Sequence, residues 1–497
     1  LWKKKPRGGA IKFEKITYKE TEEKYNLEDL AKDIYNDVLK IIRENTIKEV
    51  YIDYTGGLRD INYLIITIVR FLKFINVDCK EIIYSKQANK GVGKGRLYKL
   101  SYVQNIDDIV SAMSEFINTG NAYELSRVYK DSNDKNINKA IEDMLVFSKS
   151  LSICKVNKIE DQIKNIVDDL KKVEEAGSDG ISSEMFRSMA NVFKEKIMGN
   201  EEKVSYINMI EWCQNNNMLQ QALTLAYEKM PKYYLKEFKN LFGEFGVREE
   251  DQENNKSSLQ NSPYRSGFDN AYNYVLSLKY KETIEEIKKF FNEISKEVLP
   301  LFEKSDNKAK EKIGEIINKN KNKVKSNDAK LFIDREQKRY EDGKYFNKTH
   351  KQKETIINLC SDKIVNEITY LFNCLLKNDD VELENSDFVN DFTINKEISA
   401  LRYLQGKNSY ITNALACDLI LKEMRIHTNH ALEESDSKET KDKIFKYIFE
   451  NMNYFDDFKF DETTSICEQV YDYESINRML NKTVETAKGI EKKYGKS

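Results

Sequence analysis

Residues 51–60 read YIDYTGGLRD. A short β-branched run, IKEVYIDY (47–54), ends here, and a longer apolar run, INYLIITIVRFLKFI (61–75), begins just beyond. The first has the length and composition of a buried strand and the second those of a helix, 61–76, which Asp60 is placed to cap. Asp53 falls at the C-terminal end of the strand, where open α/β sheets bind ligands. Gly56 and Gly57 let the backbone approach a ligand or take a positive φ. The N–H groups opening the next helix favour an anion. Thr55 adds a hydroxyl, and Arg59 a guanidinium that can contact phosphate or stack on a base. The same residues also read as a strand–turn–helix that needs its glycines for geometry alone, with Arg59 in a surface ion pair.

Working outward, NLEDLAKDIYNDVLKIIRE (26–44) has apolar residues at helical spacing, with Asn26 as N-cap. CKEIIYS (79–85) is a second strand. KQANKGVGKGR (86–96) is a Gly- and Lys-rich loop, LYKLSYV (97–103) a third strand, and IDDIVSAMSEFINTG (106–120) a helix. This alternation is that of an α/β sheet domain. After about residue 125 the strand signals fade, and residues 135–245 read as helical. EEDQENNKSSLQNS (249–262) is polar and loop-like, residues 303–330 read as a solvated helix or an exposed excursion, and helices resume from 353. The fold class is therefore α/β followed by all-α.

Composition narrows the function classes. The chain has 497 residues, 40% hydrophobic and 33% charged, enough for two or three domains. Only 4 prolines occur, which suits helices. Lys and Arg number 81 against 83 Asp and Glu, so nucleic acid would meet a local patch and not a basic body. Seven cysteines without a Cys-x-x-Cys pair argue against a disulfide framework or a zinc knuckle and suit reduced thiols in the cytoplasm. INYLIITIVRFLKFI carries Arg70 and Lys73 and is too short to span a bilayer, so it reads as a buried helix. No signal peptide is evident. The chain starts at Leu1 and not at a methionine, which admits an N-terminal truncation.

Asp53-Tyr54-Thr55-Gly56-Gly57-Leu58-Arg59 resembles the Asp-x-Thr-(Gly or His)-Gly-x-Arg signature of CRISPR-associated Rossmann-fold (CARF) domains. The resemblance implies a pocket for cyclic oligoadenylate across a homodimer two-fold, lined by Asp53, Thr55, Gly56, Gly57 and Arg59. Ser85, Lys86 and Gln87 are further candidates from the end of the next strand. The family also has an earlier strand that touches the ligand, and the residues before this motif do not offer it clearly.

The chain has three histidines, two of them in EMRIHTNHALEE (423–434). Arg425 and His430, with four residues between them, suit metal-independent RNA cleavage. Histidine serves acid–base work near neutral pH, and arginine the charge of a pentavalent phosphorus transition state. The plain reading is a helix face whose Arg and His cap it or pair with acids such as Glu433 and Glu434. On one straight helix, residues five apart differ by about 140° in direction, so a break or a cleft made by two copies is required.

The pattern resembles the Arg-x(4–6)-His motif of HEPN ribonucleases, with Ile426 where a polar residue is common and with Asn429 and His427 nearby. WCQNNNMLQQALTLAYEKMP (212–231) reads by itself as an amphipathic helix and resembles a segment that precedes the catalytic motif in CARF–HEPN proteins. The resemblance implies a Rossmann-like CARF domain (1–125), a helical connector (126–204) and a HEPN-like helical domain (205–497). It implies a homodimeric endoribonuclease of single-stranded RNA in type III CRISPR antiviral defence, activated by cyclic oligoadenylate, with Arg425, His430 and Asn429 at the catalytic site. Three alternatives stay open: a cyclic-oligoadenylate sensor or sponge with a degenerate HEPN half, a CARF domain that cleaves its own activator, and a helical scaffold with a Rossmann-like cap.

Overall fold

The structure is a computed structural model describing residues 27–53, 55, 59–86, 95–177, 180–198, 204–242, 264–265, 268, 270–302, 306–341, 388, 391–392, 396–430, 438–461 and 464–495. It divides into two compact units. The first comprises residues 1–117, 121–142 and 170–189; the second comprises 118–120, 143–169 and 190–497.

The first unit holds a small sheet. α1 (Leu27–Asn45) leads into β1 (Glu49–Asp53), α2 (Arg59–Phe74), β2 (Asp78–Lys86), β3 (Arg96–Lys99) and α3 (Ser101–Thr119). The strand order is β1-β2-β3. β1 and β2 run parallel, joined by the α2 crossover, and β3 returns antiparallel to β2. The apolar stripe of α1, through Ile34 and Ile42, packs with Ile68 and Leu72 of α2 and with Val77. Val69 of α2 meets Cys79 and Ile82 of β2 in a second cluster. α2 is thus buried along one face, while Tyr63 and Phe74 are exposed on it. The chain leaves α2 through Asn76, whose φ of 58° ends the helix. Asp78 N–H then donates to Lys48 O at 2.8 Å and opens the parallel ladder.

Two sequence expectations are corrected here. α2 begins at Arg59, so Asp60 lies inside its first turn and is not the N-cap. LYKLSYV is not one strand: β3 stops at Lys99 and α3 starts at Ser101. The ladder explains the switch. Lys99 pairs with Ile83, and Leu100 N–H gives one further bond to Ile82 O at 2.7 Å. Val103 N–H then turns back to Leu100 O at 2.9 Å, closing a local turn where β composition had suggested strand.

The chain then runs through α4 (Tyr123–Val128), α5 (Lys135–Ser152), α6 (Ile159–Glu175) and α7 (Ile181–Met198). In the second unit follow α8 (Tyr206–Asn215), α9 (Leu219–Glu237), α10 (Lys239–Phe242), α11 (Ala271–Lys279), α12 (Lys281–Phe302), α13 (Asp306–Lys321) and α14 (Asn327–Glu341). After them come α15 (Lys396–Gln405), α16 (Ser409–His430), α17 (Lys438–Asn451), α18 (Ile466–Val470) and α19 (Tyr473–Tyr494).

Ser205 caps α8 by accepting from Asn208 N–H, and Asp472 caps α19 by accepting from Ser475 N–H. Helices α8, α9, α16 and α19 pack on one another. Their buried faces include Ile210 and Cys213, Leu223 and Ala226, Leu421 and Met424, and Met479 and Leu480. The Lys- and Asn-rich stretch 303–330 is helical in α13, with Ile313, Ile316 and Ile317 buried, and enters α14. Residues 249–262 lie outside the described residues, as does most of the stretch from 353 to 395.

Among the described residues no helix is long and apolar enough to cross a membrane. Cys79, Cys154, Cys213 and Cys417 are free thiols.

Candidate functional site

Two places gather the residues singled out in the sequence, one within each unit. In the first, the parallel pairing of β1 and β2 brings both C-terminal strand ends to one edge of the sheet. Asp53 ends β1 in register with Ile83, so Ser85 and Lys86 project just past it. Asp53 Oδ1 accepts from Thr55 N–H at 2.9 Å, which shapes the exit of the chain from the strand. Thr55 Oγ1 in turn accepts from Ser85 N–H at 2.6 Å. Thr55 therefore ties the end of β1 to the end of β2, and its hydroxyl keeps a proton to donate.

Of the sequence candidates, Asp53, Thr55, Ser85 and Lys86 are brought together. Arg59 is the first residue of α2, so the helix N-terminus opens at this edge, but its side chain lies outside the described residues, as do Gly56, Gly57 and Gln87. The sequence reading missed Arg96. It pairs in register with Lys86 across β2 and β3, and both are exposed. Two like charges side by side on a sheet oppose pairing unless an anion relieves them. The signal was present in the sequence KGVGKGR (90–96), whose last residue opens β3.

The second place is the packing of α9 against α16. Helix α16 continues unbroken from Ser409 to His430, so the Arg425–His430 pattern has no break inside it. Asn429 and His430 are its last two residues, and their side chains lie outside the described residues. Arg425 is held by α9. Its Nη2 is 2.9 Å from Glu228 Oε1, with the two side chains 26% and 24% exposed. Its guanidinium carbon lies 4.9 Å from the centre of the Tyr227 ring. Arg425 Nε is buried and meets no hydrogen-bond acceptor among the described residues.

Tyr227 is itself fixed from below. Arg265 lies over the same ring at 4.0 Å and donates to Tyr227 O at 3.2 Å. Arg265 also forms a two-pronged ion pair with Asp418 of α16, at 2.5 and 2.6 Å. That pair is 1% and 8% exposed. Asp418 and Arg425 are two helical turns apart and share a face of α16. Thr224, Tyr227 and Glu228 stand at i, i+3 and i+4 on α9 and so share the opposing face. Burial pushes the Cys154 thiol up, while a hydrogen bond from Thr224 and the Arg425 charge act against that rise.

His427 does not face Arg425's partners. Its ring stacks on Tyr471 at 3.9 Å between centres and 11° between planes. Tyr227 was legible as part of an apolar helix face. Glu228, Arg265 and Asp418 carried no local signal in the sequence, because their roles depend on a helix pairing between distant segments.

Residues 105–201 match the family model described as CRISPR-associated protein MJ1674, second domain. The matched segment runs from α3 to the end of α7, so this part of the chain is similar to a domain of a CRISPR-associated protein. No curated protein and no solved structure matches the chain.

Proposed function

We propose that this chain is a CARF–HEPN type endoribonuclease of type III CRISPR antiviral defence, which cleaves single-stranded RNA when cyclic oligoadenylate binds it. One observation carries the reading. The two stretches that resemble the ribonuclease half, residues 212–231 and 425–430, pack against one another, with Arg425 seated on Tyr227 and Glu228. The match of residues 105–201 to a CRISPR-associated domain supports the same setting. So does the sheet edge of Asp53, Thr55, Ser85, Lys86 and Arg96, which offers hydroxyl and cationic groups to a phosphate-rich ring.

The chemistry needs no group beyond side chains. The RNA 2′-oxygen forms a bond to the adjacent phosphorus as the bond from phosphorus to the 5′-oxygen breaks. One proton leaves the 2′-hydroxyl and one is delivered to the departing 5′-oxygen, a task for His430. Arg425 stabilises the charge that gathers on the phosphoryl oxygens. The products are a 2′,3′-cyclic phosphate and a 5′-hydroxyl. Because α16 is unbroken, positions 425 and 430 leave the helix axis in directions about 140° apart. In this reading a homodimer supplies both from two copies of α16.

The test is cleavage of labelled single-stranded RNA by the purified chain, with chelator present, with and without cyclic tetra- or hexa-adenylate. Activator-dependent cleavage that His430→Ala abolishes is expected. Equal cleavage with and without activator would sink the regulated nuclease. Tight activator binding without any cleavage would favour the second reading, a sensor or sponge, to which Ile426 beside Arg425 lends support.

A further inference from the structure

We infer that Glu228 is a positioning residue for Arg425, and that the conspicuous QQALTLAYE segment of α9 serves as the platform that aims this guanidinium. The inference rests on the nuclease reading above and deepens it.

Three features of the contact point this way. First, Glu228 holds the guanidinium in an ion pair, its Oε1 2.9 Å from Nη2. A guanidinium carries five N–H donors, so an acid at Nη2 fixes the group and leaves donors for a phosphate.

Second, the guanidinium lies over Tyr227, and Tyr227 is held by the buried Arg265–Asp418 pair. A planar cation set on an aromatic face and pinned at one end has lost most of its rotational freedom. Third, Arg425 remains about a quarter exposed although its Nε is buried, so part of the side chain faces protein and part faces solvent. A guanidinium fixed in this way keeps a face that solvent, and so a phosphate, can reach. Arg265, paired with Asp418 two turns before Arg425 on α16, shows a packing arginine here: 1% exposed and doubly paired.

The experiment compares wild type, Glu228→Ala, Glu228→Gln, Arg425→Ala and the double variant Glu228→Ala/Arg425→Ala. The readout is steady-state cleavage of a fluorogenic single-stranded RNA with cyclic tetra- or hexa-adenylate at saturation. Misplacing a charge-stabilising group costs kcat more than KM. Glu228→Ala is therefore expected to lower kcat by about 10- to 100-fold with KM held within about twofold. Glu228→Gln, which keeps an acceptor for Nη2, is expected to recover most of the loss. On the Arg425→Ala background, Glu228→Ala should remove nothing further, because it acts through the arginine.

Unchanged kcat in Glu228→Ala would overturn the inference and leave the nuclease standing. So would losses that multiply in the double variant. Losses that follow the melting temperature of each variant, with Glu228→Gln as impaired as Glu228→Ala, would reduce Glu228 to a packing role. A wild-type protein that cleaves no RNA with either activator would sink the nuclease reading, and this inference with it.

Discussion

The hydroxyl oxygen of Thr55 accepts a hydrogen bond from the backbone N–H of Ser85 at 2.6 Å, joining two strand ends that are 30 positions apart in the chain. Its position in a turn makes Thr55 the hinge of the candidate nucleotide edge, because Asp53 fixes its N–H at the same time. Thr55→Val keeps the shape of the side chain and removes the acceptor. It is expected to weaken binding of cyclic tetra- or hexa-adenylate by about tenfold or more, the scale of one lost hydrogen bond with its neighbour left unpaired. Thr55→Ser should bind within a few-fold of wild type. Calorimetry or equilibrium fluorescence with the two rings would decide it, and equal affinity in Thr55→Val would remove this edge from the ligand site.

A second expectation concerns acid stability. Glu160 of α6 takes a hydrogen bond from Lys232 of α9, and Tyr206 lies with them. Burial works to raise the Glu160 carboxyl, but the hydrogen bonds from Lys232 and Tyr206 outweigh it and hold the group below its ordinary 4.5. Burial and the bond to Glu160 push the Tyr206 phenol up. A carboxylate whose pKa is lowered by folding adds stability that is fully present above its unfolded value and is lost as pH falls through the folded one. Wild type is therefore expected to exceed Glu160→Gln in urea midpoint at pH 7, with the gap closing as pH drops below 4.5. A gap that stays constant into acid would show that the pair contributes through packing and not through charge.

How far the sequence carried depended on whether the signal was local. α1 was legible within a residue at each end because its apolar stripe repeats over five turns and meets α2 directly. β1 and β2 were legible because short β-branched runs between helices leave little else to form. The start of α3 was not, since Tyr102 and Val103 suit a strand, and only the end of the ladder with β2 makes them helical. At the sheet edge, Asp53, Thr55, Ser85 and Lys86 were legible from strand ends, while Arg96 needed the antiparallel register to be seen. In the helical unit, Arg425 stood out by its spacing to His430. The residues that hold it could not stand out, because Glu228 and Tyr227 meet it through a helix pairing that leaves no trace in local spacing.

The pair beneath Tyr227 gives a stability prediction. Arg265 and Asp418 are 1% and 8% exposed and satisfy each other through two parallel bonds. Removing one partner strands the other charge in the interior, where it cannot recover its hydration. Asp418→Ala is expected to destabilise the second unit by about 3–5 kcal/mol in urea denaturation. The double change Asp418→Leu/Arg265→Met should cost clearly less, since no charge is then left unpaired. If the double variant is as unstable as the single one, the pair's value lies in its hydrogen bonds to the rest of the core, including Tyr227 O, and not in charge neutralisation.

The two histidines at the end of α16 can be told apart by experiment. The His427 ring is stacked on Tyr471, 3.9 Å away and nearly parallel, which ties it to the chain between α18 and α19. That contact gives His427 a structural task, worth about 0.5–1.5 kcal/mol for an aromatic pair. His430 closes the helix, five residues from Arg425. His427→Ala is accordingly expected to lower the melting temperature by a few degrees while leaving kcat within about twofold of wild type, the range of substitutions away from a reacting centre. His430→Ala is expected to keep the wild-type melting temperature and lose about 100-fold or more in RNA cleavage, the share of a general acid or base. Melting curves and activator-saturated cleavage assays on both variants provide the comparison. The reverse pattern, with cleavage lost in His427→Ala and kept in His430→Ala, would move the acid–base role one turn back along α16 and make the Tyr471 stack part of the catalytic cleft.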